Sequence, residues 1–185
     1  MQKWLILGLG NPAKEFEKTF HNVGRETVEK IQKEWGFSDW QKKKKEFAEI
    51  CRGKIFDREI ILAKTLVYMN ESGKTAKALL DFFKIKPEHL IVIQDEADLK
   101  IGKVKISQNR GAAGHKGIVS LIEHLKTKNF IRFRIGIRKN KKEKAQFFVL
   151  KKIKTEDEKI IEKAKEETIF LLKDFLKNPT KASKN

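Results

Sequence analysis

A continuous apolar run near the N-terminus constrains the fold more than any other stretch of this chain. Residues 4–10 read WLILGLG, and Asn11 and Pro12 follow directly. An unbroken apolar run closed by glycines is typical of a strand buried on both faces of a sheet. Pro12 ends the strand because proline has no N–H to donate to a sheet ladder. The polar segment that follows leads to His21 and Asn22 at the start of a helix, an arrangement typical of a site on an open α/β sheet.

Four later stretches are predicted to be helices. Residues 25–35, 72–83 and 118–125 each place apolar side chains on one helical face. Thr155 and Glu158 match the S/T-x-x-E pattern of a capping box, which predicts a fourth helix with Thr155 as its N-cap.

Five further segments are predicted to be strands. They are short, apolar or alternating in character, and flanked by turn residues. They are residues 47–52, 59–65, 90–93, 103–107 and 132–137. The first two are predicted to form a hairpin. The last alternates basic with apolar residues, so we expect one of its faces to be buried and the other to be positive.

The order of these segments predicts the fold class. Strands and helices alternate without an internal repeat, and 185 residues suit one domain with a substantial core. We therefore expect an α/β fold, a single globular domain with a twisted mixed β-sheet flanked by helices. The domain is predicted to span residues 1–178, with residues 179–185 as a flexible C-terminal tail.

Composition limits the possible functions. The chain has 42 Lys and Arg residues against 25 Asp and Glu, a net charge of +17. This excess indicates a polyanionic partner, nucleic acid first, although a lysine-rich proteome would also make the surface basic. Cys51 is the only cysteine, which excludes a disulfide framework and a cysteine-based zinc site. No run reaches transmembrane length and the N-terminal run is not a signal peptide, so we expect a cytoplasmic protein that does not bind membranes.

Several familiar motifs are incomplete in this chain. Residues 8–13 fit the loose dinucleotide pattern G-x-G-x-x-A, but Pro12 leads into a loop where a helix should start. Residues 72–75 read SGKT like the end of a P-loop, but Tyr68 stands where its first glycine should be. The four histidines lack metal-ligand spacing, so no metal or cofactor is predicted.

A set of polar residues remains that could form a site. Asn11, Asn70 and Asp95 follow predicted strands, His21 follows the first loop, and His115 lies in a glycine-rich loop. If the strands before Asn11 and Asp95 are parallel neighbours, Asp95 can reach His21. A carboxylate on one imidazole nitrogen makes the other nitrogen a better base, which could activate water. Each residue also has an ordinary structural explanation, such as a helix cap or a turn.

These motifs resemble those of bacterial peptidyl-tRNA hydrolases, the Pth family. The matches occur in the family's order and extend from Lys3 to about Leu150. They are GLGNP at 8–12, HNxG at 21–24, YMNxSG at 68–73, DExDL at 95–99, the glycine-rich loop at 111–117 and RIGI at 134–137.

The resemblance implies an activity and a role for each matching residue. The family hydrolyses the ester between a peptide and the 3′ end of tRNA, and it is typically a metal-free, cofactor-free cytoplasmic monomer. His21 would be the proton acceptor, Asp95 would hold it in its basic form, and Asn11 would distinguish blocked from unblocked aminoacyl-tRNA. The substrate-binding residues would be Phe16, Tyr68, Met69, Asn70, His115 and Lys116, and the tRNA phosphates would be bound by Lys103 or Lys105 and Arg134.

The chain departs from the family pattern at several positions. Lys116 replaces an asparagine, Gln94 replaces a histidine, and Phe16 replaces a tyrosine. An ammonium at position 116 could bind a phosphate or carbonyl, and it would lower the pKa of His21 if it were close. Two alternatives therefore stay open: a catalytically weak or silent RNA-binding relative, and a hydrolase of small esters or amides on the same fold.

Overall fold

The computed structural model describes residues 1–140 and 144–179. The predicted flexible tail lies almost entirely outside the described residues. Within them, seven strands and four α-helices form one α/β domain, which confirms the predicted fold class. No helix in the described part of the chain combines the length and apolarity that crossing a membrane requires.

The seven strands form one mixed sheet. They are β1 (Gln2–Gly8), β2 (Gln41–Lys43), β3 (Ala48–Ile55), β4 (Arg58–Thr65), β5 (Leu90–Lys100), β6 (Val104–Gln108) and β7 (Ile131–Arg138). Their order across the sheet is β2-β3-β4-β1-β5-β7-β6. The central strands β4, β1, β5 and β7 are parallel, whereas β3 and β6 pair antiparallel with them and β2 pairs antiparallel with β3. The carboxyl ends of the four parallel strands therefore meet at one edge of the sheet.

The helices cover both faces of the sheet. They are α1 (Val23–Glu34), α2 (Ser72–Phe83), α3 (Lys116–Leu125) and α4 (Thr155–Lys177). Trp4 and Ile6 pack in the cluster that contains α1 and α4, and Leu5 and Leu7 pack in the cluster that contains α2 and α3. All four side chains are at most 2% exposed. This two-sided burial explains the unbroken apolar run, and each such side chain contributes about 1.5–3 kcal/mol.

Strand β5 is longer than the sequence predicted. We expected it to end at Ile93, but it continues to Lys100, so Asp95 lies within the strand and not after it. Gln94, Asp95 and Glu96 stay in register with β7. Polar residues can remain in a buried strand when partners satisfy them, and Arg132 and Arg134 of β7 contact Gln94 and Glu96.

Two other local predictions are wrong. The face of residues 132–137 predicted to be positive is not a solvent-exposed surface, because Arg132 and Arg134 are both buried. The capping box does not form either. Lys154 is the N-cap of α4, Thr155 is the first helical residue, and no side chain caps the helix. Three acidic residues in the first turn complement the N-terminal end of the helix dipole in its place.

Candidate active site

The site lies at the edge where the parallel strands end. Helix α1 begins directly against β1 and β5, and a Cβ on Gly24 would overlap the carbonyl of Ile93. Only glycine allows this close approach, and it brings the turn at Phe20–Asn22 to the part of β5 that carries Asp95. The turn is also held from the other side, since the His21 amide donates to the Val149 carbonyl at 2.8 Å.

The two asparagines of the first loop hold each other. The Asn11 amide N–H donates to Asn22 Oδ1 at 2.8 Å, and Asn22 Nδ2 donates to the Asn11 carbonyl at 3.0 Å. Asn11 Oδ1 accepts from the Met69 amide at 2.8 Å. Because its oxygen is occupied, the Asn11 side chain offers its NH₂ group as a donor, and no described residue accepts from it.

Asp95 lies between two imidazoles. His21 Nδ1 is 3.0 Å from both carboxylate oxygens, and His115 Nε2 is 3.0 Å from Oδ1. His21 is 7% exposed and Asp95 is 1% exposed. Burial alone would raise the pKa of Asp95, but the charges and hydrogen bonds of His21 and His115 outweigh it and hold that pKa well below its usual range. Asp95 is therefore an anion at neutral pH.

The hydrogen bonds assign a proton to each imidazole. An ionised carboxylate can only accept, so His21 Nδ1 and His115 Nε2 both carry the proton toward Asp95. His115 Nδ1 accepts weakly from the Ile118 amide, at 3.4 Å, and caps α3. Nothing in residues 1–140 or 144–179 donates to His21 Nε2, which is left as an acceptor. The side chain is therefore arranged as a general base.

Three effects set the basicity of His21. Burial lowers its pKa, the charge and hydrogen bond of Asp95 raise it, and the Lys116 ammonium lowers it. The net effect is a pKa above the ordinary value of 6.5. Lys116 forms no ion pair with any residue in 1–140 or 144–179, so no carboxylate in direct contact neutralises its ammonium.

A cavity of about 570 Å³ opens over this constellation. Every predicted site residue except Lys103, Lys105 and Arg134 lines it. The rings of Phe16 and Tyr68 meet edge to face, with centroids 6.2 Å apart. The cavity therefore combines an aromatic wall with amide, imidazole and ammonium groups, which suits a substrate with both apolar and carbonyl parts.

The three remaining predicted residues lie elsewhere. Lys105 and Arg134 line a second cavity of about 620 Å³ together with Arg110, and Lys103 lies exposed at the start of β6. Arg134 is buried against Glu96, with a nitrogen–oxygen distance of 3.2 Å. These residues form a second basic region outside the first cavity.

Some lining residues were missed from the sequence. Lys144, Val149 and Leu150 line the first cavity. Lys144 ends the charged run KKEK, and Val149 and Leu150 belong to the apolar run FFVL that follows, so only this composition change could have signalled them. These residues reach the cavity through contacts with residues distant in the chain, such as the bond from the His21 amide to the Val149 carbonyl, and no local pattern predicts such contacts.

The cluster has also the composition of a metal site. The ligand atoms of His21, Asp95 and His115 lie within 4.8 Å of one another. In this arrangement both imidazoles point a protonated nitrogen at the carboxylate, so the hydrogen bonds account for the cluster without an ion.

The comparisons with known proteins identify the family. Residues 5–185 match the sequence profile described as peptidyl-tRNA hydrolase. The chain belongs to the peptidyl-tRNA hydrolase family. It is 39% identical over 162 residues to the family member of Aquifex aeolicus, covering 85% of this chain and 81% of that protein. It is 44% identical over 160 residues to that of Metamycoplasma arthritidis, covering 86% and 83%.

A solved structure shows the family's fold. The crystal structure of peptidyl-tRNA hydrolase from Acinetobacter baumannii superposes with a TM-score of 0.88 at 29% identity. The match covers 96% of this chain and 90% of that chain. The chain is thus a peptidyl-tRNA hydrolase in family and in fold, an ester hydrolase acting on peptidyl-tRNA.

Proposed function

We propose that His21, held by Asp95, removes a proton from the water that attacks the ester between the peptide and the tRNA 3′ end. The observation that carries this proposal is the pair of 3.0 Å contacts between His21 Nδ1 and the Asp95 carboxylate. These contacts fix the tautomer with a free Nε2 and raise the pKa of His21.

The proposed reaction is an ordinary ester hydrolysis in two steps, addition of water and departure of the tRNA 3′ oxygen. The water oxygen forms a bond to the ester carbon while His21 Nε2 takes its proton. The tetrahedral intermediate collapses by breaking the carbon–oxygen bond to the ribose, and His21 returns the proton to the leaving 3′ oxygen. The products are a free peptide and a tRNA with a 3′ hydroxyl group, which releases the tRNA for reuse in translation.

Asn11 is proposed to select peptidyl-tRNA over aminoacyl-tRNA. Its oxygen is held by the Met69 amide, so it presents an NH₂ donor to the cavity. An N-blocked residue offers a carbonyl that accepts from this donor. The α-ammonium of an unblocked aminoacyl ester has only donors, so the Asn11 NH₂ group would be left unpaired and the ammonium poorly solvated.

A deacylation assay tests the proposal. We expect N-acetyl-aminoacyl-tRNA to be hydrolysed and the unblocked ester to be left largely intact. Binding of tRNA without turnover would instead identify a silent RNA-binding relative. Cleavage of p-nitrophenyl acetate but not of acylated tRNA would identify a hydrolase of small esters. We further propose that the enzyme acts as a monomer, since one chain supplies all the groups of the catalytic cavity, and that it acts in the cytoplasm, as the family resemblance implies.

Replacing Lys116 with asparagine should keep or raise activity. The substitution removes the ammonium that lowers the pKa of His21 and leaves an amide that can still donate to a carbonyl oxygen. Because the base must be neutral, the acid limb of the kcat/KM profile should move to higher pH. Above that limb, kcat/KM should stay within about 3-fold of the wild type or exceed it.

The matched control is Lys126→Asn, which makes the same charge change at the other end of α3. It should not move the limb. Complete loss of activity in Lys116→Asn would show that the ammonium itself is required, and the interpretation of this position would then be wrong.

The exposed lysines beside β6 are proposed to bind tRNA phosphates. Replacing both Lys103 and Lys105 with glutamine should raise KM by roughly 3- to 10-fold and leave kcat nearly unchanged. The slope of log(kcat/KM) against log salt concentration should become shallower by about one to two units, because fewer counterions are released.

The control pair is Lys3→Gln with Lys54→Gln. Both lysines are exposed on strands at the opposite edge of the sheet, where β1 begins and β3 ends. If this pair changes the salt slope as much as the β6 pair, attraction is spread over the whole basic surface and the assigned region is wrong.

A further inference from the structure

Arg132 of β7 is a buried cation that the proposed chemistry does not use. It is 0% exposed. Its Nε donates to Gln94 Oε1 at 2.8 Å, and one terminal nitrogen donates to the carbonyls of Gly111, at 2.8 Å, and Arg110, at 3.2 Å. Burial and the nearby Arg134 lower its pKa to about 10 despite Glu96, so it remains charged at neutral pH. Burying a charge is costly unless directed contacts replace the lost water. The three hydrogen bonds do so for Nε and one terminal nitrogen, whereas the other terminal nitrogen has no hydrogen-bond partner among the described residues and lies 3.8 Å from Glu96 Oε2.

The contacts of Arg132 join two parts of the active site. The first part is strand β5. Gln94, which accepts from Arg132, also donates from its Nε2 to the Asp95 carbonyl at 3.0 Å. The second part is the glycine-rich loop, because Arg110 and Gly111, whose carbonyls accept from Arg132, lie where this loop begins. The guanidinium therefore links the backbone that carries Asp95 to the loop that carries His115.

Between Gly111 and α3 the loop forms a turn, in which the His115 amide donates to the Ala112 carbonyl at 3.0 Å and Ala112 packs against the core. Ala113 and Gly114 adopt left-handed backbone angles, with φ of 48° and 79°, and both are exposed. His115 then caps α3 and contacts Asp95 with the other ring nitrogen. A short loop with left-handed residues reaches a defined position only where its ends are held.

We propose that Arg132 is a positioning residue for this hydrolase: by binding the carbonyls of Arg110 and Gly111, it sets His115 against Asp95. This inference rests on the proposed function of His21 and Asp95. It also gives Gln94 a role, as the acceptor that fixes the direction of the Arg132 side chain. The loop end would move without this anchor, and Asp95 would lose one of its two imidazole partners.

Arg132→Lys is the first test variant. Lysine keeps the charge but has a single ammonium, which cannot reach Gln94 and two loop carbonyls as the planar guanidinium does. We expect kcat for N-acetyl-aminoacyl-tRNA to fall by about 10- to 100-fold, the size of effect seen when a catalytic group is displaced by about 1 Å. KM should change by less than about 3-fold, because the tRNA-binding lysines are untouched.

Arg138→Lys is the matched control. Arg138 lies on the same strand and also donates to a backbone carbonyl, that of Ala97, but it does not contact the loop. It should keep the wild-type kcat. Hydrogen–deuterium exchange provides a readout apart from activity: amides 109–116 should exchange faster in Arg132→Lys and be unchanged in Arg138→Lys.

A double-mutant cycle separates positioning from a general loss of stability. If Arg132 acts through His115, adding Arg132→Lys to His115→Leu should lower kcat by no more than about 2-fold further. The same loss in both backgrounds would overturn the proposal, and so would a wild-type kcat in Arg132→Lys. If Arg132→Lys does not fold, Gln94→Leu is the second test variant, because it removes the acceptor of Arg132 Nε and keeps Arg132 itself. A wild-type kcat in Gln94→Leu would equally refute the proposal. Inactive wild-type enzyme would refute the proposed function itself.

Discussion

Replacing His21 with alanine should lower kcat/KM for N-acetyl-aminoacyl-tRNA by about 10²- to 10⁴-fold. This is the usual contribution of a positioned general base. The loss should appear in kcat, because the imidazole acts on the attacking water and the groups that bind tRNA remain. The measurement is single-turnover deacylation at saturating enzyme, which separates chemistry from binding.

The matched control for this variant is His89→Ala. His89 lies just before β5 begins, at the edge of the sheet opposite the cavity, and contacts Gln2 and Trp4. It should retain wild-type turnover once folding is checked. Unchanged turnover in His21→Ala would remove the proposed base.

Replacing Asp95 with asparagine should lower kcat by about 10- to 100-fold, less than the loss of His21 itself. The amide oxygen can still accept one imidazole N–H, so part of the orientation survives. However, the wild-type carboxylate accepts from both His21 and His115. In the variant, the amide NH₂ group replaces one of the two accepting oxygens, so one imidazole N–H loses its acceptor. The charge that raises the pKa of His21 is also lost.

Asp98→Asn is the control for that variant, since Asp98 is an exposed residue on the same strand and pairs with Arg138. It should leave deacylation unchanged. If Asp95→Asn were as active as Asp98→Asn, the carboxylate would have no part in the reaction.

The sequence predicted the fold class because the patterns that define it are local. The run at residues 4–10 is apolar at every position, since Leu5 and Ile6 face opposite layers that are both filled. Strand order was not predictable, because no local pattern states which strands pair. The contact between His21 and Asp95 therefore depended on an assumption, and β1 and β5 are indeed parallel neighbours.

The errors lie where long-range contacts override local rules. Gln94 and Glu96 look like the end of a strand, yet Arg132 and Arg134 satisfy them inside the sheet. For the same reason the alternation of basic and apolar residues in β7 predicts a positive face, whereas Arg132 and Arg134 are buried. Polar residues are predicted to be at the surface unless a partner is known, and here the partner lies 38 residues away in the chain.

The site was predictable only in part. The residues that follow strands, such as Asn11, were found from position, whereas the roles of the lining residues came from resemblance to the family. The roles of Phe16, Tyr68 and Asn70 in substrate binding remain predictions. The role of Arg132 has no sequence signature, because its partners are the Gln94 side chain and two backbone carbonyls that are distant in the chain.

The central claim is that Asp95 makes His21 a stronger base, and a proton NMR titration of the His21 ring tests it most directly. In the wild type the pKa should lie above 6.5, so His21 becomes a free base only as the pH rises through this raised value. In Asp95→Asn the charge and ionic hydrogen bond are gone while burial and Lys116 remain, so the pKa should fall below 6.5. An identical His21 titration in the two proteins would contradict the account.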